Sequence, residues 1–137
     1  MSIVLNLTKD IHGKGYNITC DNFFTSVELV KKLLEKKTSL VGTIRKSRRE
    51  LCDSMTAPQK RNVCGSQFFF NEDAKCLFVC YQPKTNKRAS LLSSMHTNTK
   101  ICDGQKAKPE IINFYNKNKV GVDVFDQMSR LYSCHSA

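Results

Sequence analysis

Acidic residues in two short segments of this 137-residue chain are the side chains best suited to metal-assisted chemistry. Asp21 ends a run, 16–21, in which apolar and polar residues alternate as in a half-buried strand. Asp123 and Asp126 are three positions apart in a segment whose apolar spacing predicts a helix. Carboxylates held on regular elements can bind the divalent metal ions that nucleases and strand-transfer enzymes use. Asp21 and Asp123 are 102 positions apart, so only a folded domain could bring them together.

Each of these acids also has a simpler interpretation. Asp123 and Asp126 are expected near the start of their helix, where a carboxylate interacts favourably with the helix dipole on any solvated helix. Asp21 alone is equally consistent with an ordinary polar residue at the end of a strand. The choice between these interpretations and a metal site depends on the neighbouring residues.

The charge of the chain favours a polyanionic partner. There are 22 basic and 12 acidic residues, so the net charge is +10 and the computed pI is near 9.4. Nucleic acid is the commonest partner of a protein this basic, although a basic surface could also serve solubility alone. Part of the charge is concentrated at Arg45, which ends a predicted strand, and in the basic turn that follows, which contains Lys46, Arg48 and Arg49.

The seven cysteines do not form a zinc-binding pattern. Cys76 and Cys80 lack a downstream Cys/His pair at zinc-finger spacing, and on a strand they would share one face, so we expect them to pack in the core. We therefore assign no zinc site. The sequence shows no signal peptide and no apolar run of the length that a membrane span needs, which together with scattered cysteines favours a nuclear or cytosolic protein with reduced thiols.

The patterns along the chain predict a mixed α/β protein whose middle is rich in strands. Thr25 and Glu28 form a capping box that predicts the start of the main amphipathic helix, with Thr25 as its N-cap. The residues that this helix is expected to bury are Leu29, Val30, Leu33 and Leu34. Strands are predicted at 16–21, 40–45, 67–70, 74–81 and 89–95. The other predictions are a helix over 1–10, a strand-like or irregular segment over 109–115, a turn over 116–119 and a helix over 122–132.

Three ordered motifs resemble those of piggyBac-type transposases. The first, residues 21–26 (Asp-Asn-Phe-Phe-Thr-Ser), is followed by the amphipathic helix and by residues 41–45 (Val-Gly-Thr-Ile-Arg), and it is similar to the second acidic motif of that family. Residues 91–94 (Leu-Leu-Ser-Ser) are similar to one of its strands. The third acidic motif of the family is similar to four short segments of this chain, residues 108–112, 115–116, 121–123 and 126–128. Order and spacing agree along nearly the whole chain.

The resemblance implies a partial RNase H-like transposase core that is interrupted by a β-rich insertion. Residues 1–45 would carry the second acid, about 46–108 would form the insertion, and about 109–137 would carry the third acid. In this family three Asp residues hold two divalent metal ions, Mg²⁺ or Mn²⁺, which assist cleavage and joining of DNA strands. By position, Asp21 is the expected second ligand, Asp123 the third, and Asp126 an additional acid.

The same resemblance implies partners and a location. DNA is the expected partner, and Arg45, Lys46, Arg48 and Arg49 are expected to contact its phosphates because of their charge. A second copy of the chain or a full-length transposase would be the protein partner. The nucleus is the expected compartment, and no membrane association is expected.

The chain departs from the family pattern in three places. The first catalytic Asp of the family lies on a strand upstream of the region where this chain begins, and Asp10 does not replace it. Val120 stands where the family has a glycine, and the family continues beyond the position of Ala137. We therefore expect an incomplete metal site, because a missing ligand also removes geometric control, and no catalysis by this chain alone.

Three hypotheses follow from the sequence. The main one is a fragment of a piggyBac-like DNA transposase core whose ancestral reaction is metal-dependent strand cleavage and transfer. The second is a domesticated, non-enzymatic module that binds DNA or protein with the same scaffold and charge. The third is a chain without a selected function that does not fold stably.

Overall fold

The computed structural model describes residues 2–52, 55 and 63–131, apart from the side chains at 121, 122, 125 and 126. The helices are α1 (Ser2–Leu7), α2 (Val27–Glu35) and α3 (Glu110–Leu131), with a short 3-10 turn at Lys9–Ile11. The strands are β1 (Asn17–Cys20), β2 (Ser39–Thr43), β3 (Ser66–Asn71), β4 (Cys76–Lys84) and β5 (Lys87–Ser93). No helix in these ranges is long and apolar enough to cross a membrane.

All five strands form one mixed sheet in the order β1-β2-β5-β4-β3. β1 and β2 run parallel, with Cys20 opposite Gly42, and α2 makes the crossover between them. The other three pairings are antiparallel, and β3 and β4 form the predicted hairpin. β5 pairs with β2, so the strands between residues 46 and 108 extend the sheet that β1 and β2 begin.

The core has two parts, one on each face of the sheet. On one face, α2 contributes Leu29, Val30 and Leu33, which pack with alternate residues of β4 that include Cys76 and Cys80. On the other face, Ile111 and Ile112 of α3 pack with the intervening β4 residues, Leu77, Val79 and Tyr81. β4 is therefore buried on both faces, which explains its nearly continuous apolar sequence. Cys76 and Cys80 are core residues, as the alternation predicted.

The N-cap of α2 is Ser26, one residue later than predicted. Ser26 has extended backbone angles, and its side-chain oxygen accepts a hydrogen bond from the Leu29 amide at 3.1 Å. Thr25 is fully buried, and its hydroxyl instead donates to the Asp21 carbonyl at 2.7 Å. The capping-box prediction was wrong at this residue because Thr25 closes the turn before the helix rather than capping the helix itself.

The prediction for residues 109–132 was wrong in its first half. One helix of 22 residues begins at Glu110, where a strand-like segment and a turn were expected. Pro109 directly precedes it, in agreement with the preference of proline for helix starts. Ile111, Phe114 and Tyr115 are spaced at i, i+3 and i+4 and pack together on the sheet. This burial outweighs the β-branched and turn-forming residues on which the strand and turn predictions rested.

Gly42 lies where β2 packs tightly against β1 and the residues before α2. A Cβ atom at this position would overlap Thr25 Oγ1 and would lie 2.7 Å from the Cys20 carbonyl oxygen. Both groups belong to buried residues, Cys20 at the end of β1 and Thr25 just before α2, so neither can move without disturbing the packing around it. The site needs glycine because there is no room for a side chain.

Gly42→Ala is expected to lower the free energy of unfolding by about 1–3 kcal/mol, because the added methyl group overpacks this contact. Urea titration of the purified chain would measure the change. Lys46→Ala, at an exposed position just beyond β2, is the control and should change stability by less than about 0.5 kcal/mol. Equal stability of the Gly42→Ala variant and the unmodified chain would contradict the close contact.

Candidate active site

Asp21 lies directly after β1, and a tight turn fixes its backbone. The Asp21 carbonyl accepts hydrogen bonds from the Thr25 amide at 3.2 Å and from the Thr25 hydroxyl at 2.7 Å. The side chain is exposed, and its Oδ1 accepts a hydrogen bond from the Phe23 amide at 3.0 Å. The carboxylate is therefore anchored through one oxygen on a turn that the buried Thr25 holds in place, and it is still accessible to a ligand.

Asp123 lies well inside α3 rather than in its first turn, so the interpretation of Asp123 as an ordinary first-turn acid was wrong. The side chain is exposed. The helix that carries it is held against the sheet by its N-terminal half, through Ile111 and Ile112. The position of Asp123 thus depends on packing more than two helical turns away.

One cleft of about 490 Å³ contains both acids in its wall. Asp21 enters from the end of β1 and Asp123 from α3, while residues of α1 supply much of the apolar wall, including Ile3, Val4 and Leu7. The structure therefore brings together two predicted ligands that are far apart in the sequence. Both carboxylates are exposed and belong to different elements, so each is accessible to a ligand that enters the cleft.

Carboxylate oxygens are the donors that Mg²⁺ and Mn²⁺ prefer, and the two acids of this cleft fit such an ion as part of a ligand set. Among the described side chains, no group of three His, Cys, Asp or Glu residues converges as a metal site does. Asp126, the additional predicted acid, lies in α3, but its side chain is outside the described residues. Among the side chains that the structure describes, the cleft thus offers two carboxylates.

Two further residues of the cleft, Tyr115 and Lys119, were missed in the sequence analysis. The Lys119 ammonium lies 5.7 Å from the centre of the Tyr115 ring, and the Tyr115 hydroxyl is 3.5 Å from Thr43 Oγ1. Tyr115, Lys119 and Asp123 follow one another at intervals of four, which is the signal that could have revealed them. The prediction of a turn over 116–119 concealed this common helix face.

The predicted basic turn lies next to the Asp21 turn, and Phe23 connects the two. The Phe23 ring is 59% exposed, with the Arg45 guanidinium 5.5 Å from its centre. Arg48 is half-buried and donates from Nη2 to the Phe23 carbonyl at 2.8 Å, whereas Arg45, Lys46 and Arg49 are exposed. Arg48 therefore has a structural contact, and the other three cations face solvent beside the candidate site.

The Cys20 thiol directly precedes Asp21 and is held in its protonated, unreactive form. Burial and the nearby negative charge of Asp21 raise the pKa of Cys20 from 9.0 to about 11. Burial likewise raises the pKa of Cys76 to about 11. Because its pKa is raised, Cys20 stays protonated at neutral pH. Metal binding by cysteine requires the thiolate, so Cys20 does not compete with Asp21 for a metal ion.

Comparison with known proteins agrees with this arrangement. The model of a protein family described as transposase IS4 matches residues 1–137. A cryo-EM structure of a piggyBac transposase synaptic complex with hairpin DNA matches 98% of this chain, with a TM-score of 0.85 and 37% sequence identity. The match covers 28% of that transposase chain. These similarities confirm the predicted fold class, a partial RNase H-like transposase core of mixed α/β type.

Alkylation should report the state of the Cys20 thiol. Because its folded pKa is raised, Cys20 remains protonated between pH 9.0 and about 11, whereas the unfolded chain ionises in that range. Iodoacetamide labelling of the folded protein, followed by peptide mass spectrometry, should therefore modify Cys20 much more slowly than the exposed Cys52. Labelling in urea is the control and should remove the difference. Equal labelling rates in the folded protein at pH 8 would show that the thiol is neither buried nor raised in pKa.

Proposed function

The chain belongs to the family described as transposase IS4, as a partial core of the piggyBac type, and we propose that it supplies two metal-binding acids for DNA strand cleavage and transfer. The observation that carries this proposal is the presence of Asp21 and Asp123 in the wall of one cleft. Asp126 is proposed as an additional acid on the same helix.

Residues of the chain have distinct roles in this proposal. Asp21 and Asp123 would hold Mg²⁺ or Mn²⁺, which activates the attacking oxygen and stabilises the leaving oxygen of a phosphodiester when bound. Thr25 holds the Asp21 backbone through two hydrogen bonds, and Phe23 orients one carboxylate oxygen. Placing one acid at a strand end and the other on a packed helix limits how far the two can move apart.

A complete two-metal site needs at least one more ligand than these two carboxylates. The chain spans 28% of the transposase chain it matches, and we propose that the further acidic ligand comes from outside residues 1–137. The chain alone would then bind metal weakly and would not cut DNA. The division into 1–45, 46–108 and 109–137, with the middle segment as an insertion, is part of the same proposal.

DNA is the proposed partner, and the nucleus is the proposed compartment. The matched structure is a piggyBac transposase complex with DNA, and the net charge of this chain is +10. Arg45, Lys46 and Arg49 are exposed beside the candidate site and would contact backbone phosphates, with Arg48 holding the turn. A second copy of the chain or a full-length transposase is the proposed protein partner.

A second function is favoured by the exposed cations of the basic turn. A DNA-binding module without catalysis would need Arg45, Lys46 and Arg49 but not the carboxylates. Among the described side chains two carboxylates, and not three, meet in the cleft, which is compatible with a module that retains the scaffold alone. The two functions differ in whether Asp21 matters.

Metal binding tests the first function directly. Mn²⁺ should broaden the NMR resonances of residues around Asp21 and Asp123 in the purified chain, because both carboxylates contribute to one site. Asp21→Asn and Asp123→Asn should each weaken binding by about tenfold or more. Asp103→Asn, at an exposed position away from the cleft, is the matched control and should change nothing. Broadening that is equally lost in Asp103→Asn, or is absent near the cleft, would contradict the proposal.

DNA binding tests the basic turn. Replacing Arg45, Lys46 and Arg49 together by Ala should reduce the slope of log affinity against log salt by about 2 to 3 units on duplex DNA, because fewer counterions are released. Replacing Lys14, Lys31 and Lys36, which are exposed elsewhere, removes the same charge and should have a smaller effect. Equal effects of the two triple variants would show that only net charge matters. Metal-dependent nicking that Asp21→Ala abolishes would rule out the purely DNA-binding module.

A further inference from the structure

Lys119 is a half-buried lysine in the wall of the cleft that Asp21 and Asp123 also line. It lies one helical turn before Asp123 and one turn after Tyr115 on α3. Its ammonium group is 5.7 Å from the centre of the Tyr115 ring, within the range of a cation–π contact. The tyrosine hydroxyl is 3.5 Å from Thr43 Oγ1 at the end of β2, so the ring is placed by the sheet.

Lys119 lines the same cleft as Asp21 and Asp123 without forming an ion pair with either. Within the described residues an ion pair joins Lys32 to Glu28 at 3.3 Å, and no described carboxylate oxygen lies within 4.0 Å of Lys119 Nζ. Lys117, the other lysine of α3, is exposed and does not line the cleft. The Lys119 ammonium is thus available to a ligand in a cleft whose wall also contains two carboxylates and several apolar side chains.

We propose that Lys119 binds a phosphate oxygen of the DNA strand that enters this cleft, and that Tyr115 is its positioning residue. The proposal rests on the proposed function, because it takes DNA as the ligand of the cleft. A phosphodiester that approaches Asp21 and Asp123 meets two negative charges, and a cation in the same wall offsets part of their repulsion. The lysine ammonium suits this task because it has three N–H donors and is a compact charge.

A purely structural role for Lys119 is the competing explanation. A lysine stem can cover apolar surface, and a cation–π contact can stabilise a helix without any ligand. A structural lysine would affect folding stability but would leave the salt dependence of DNA binding unchanged. The number of counterions released on DNA binding therefore separates the two roles.

The test compares Lys119→Gln, Lys119→Arg and Lys117→Gln in the complete 137-residue chain, with a short DNA duplex as the probe. Affinity is measured over a series of salt concentrations. Lys119→Gln should weaken binding by about fivefold and reduce the salt slope by about 1 unit. Lys119→Arg keeps the charge and should retain most of the slope. Lys117→Gln removes one charge from the same helix outside the cleft and should reduce the slope by less than Lys119→Gln.

An unchanged salt slope in Lys119→Gln, or an equal reduction in Lys117→Gln, would overturn the proposal. Circular dichroism melts of the variants show whether a lost slope reflects a lost fold, and an unfolded Lys119→Gln would move the comparison to Lys119→Arg and Lys119→Met. If Lys119→Arg and Lys119→Met have the same salt slope, the phosphate contact is also overturned.

Mn²⁺ binding distinguishes failure of this proposal from failure of the metal site. Removing a cation near Asp21 and Asp123 should leave Mn²⁺ binding unchanged or make it tighter. If the unmodified chain does not bind Mn²⁺, the proposed metal site fails, whereas the salt slope still decides whether Lys119 contacts DNA. If Lys119→Gln loses Mn²⁺ binding together with DNA binding, Lys119 has a structural role and the phosphate contact is wrong.

Discussion

The close parallel contact of β1 with β2 at Gly42 is the constraint on which the candidate site depends. The space left by the missing side chain is filled by the buried Thr25, and the Thr25 hydroxyl donates to the Asp21 carbonyl. The contact that allows the two strands to pair therefore also fixes the backbone of Asp21. A rigid turn between a strand and a helix is a favourable place for a functional group, because the group is exposed while its backbone is not free to move.

The position of Asp123 depends on the opposite face of the same sheet. Ile111 and Ile112 anchor the start of α3 on the sheet, and Tyr115 approaches Thr43 at the end of β2. Asp123 follows on the same helix, beyond this anchored part, and reaches the cleft from there. β2 thus pairs with the strand that carries Asp21 and contacts the helix that carries Asp123. The relative placement of the two acids is a consequence of the sheet rather than of any direct contact between them.

The charges of the described residues are arranged as exposed cations beside a cleft that contains two carboxylates. The chain as a whole has a net charge of +10, and the cations Arg45, Lys46 and Arg49 are exposed next to the Asp21 turn. A basic protein surface can attract DNA over distances of about a Debye length, whereas carboxylates inside the cleft are suited to a metal ion. Lys119 is the cation of the described residues that lies inside the cleft with them, and it links these two features.

The sequence by itself determined the element types of the first part of the chain, the β3–β4 hairpin and the position of Asp21 at a strand end. These features depend on alternation, helical spacing and turn residues, which act over a few positions. The family resemblance also predicted Asp123 as a partner of Asp21, and the structure places both in the wall of one cleft. Only the tertiary structure decided that Ser26 caps α2, that α3 begins at Glu110, and that Lys119 shares the cleft with both acids. The physical reason is that burial against a distant strand contributes more free energy than local propensity, and local sequence patterns do not contain that contact.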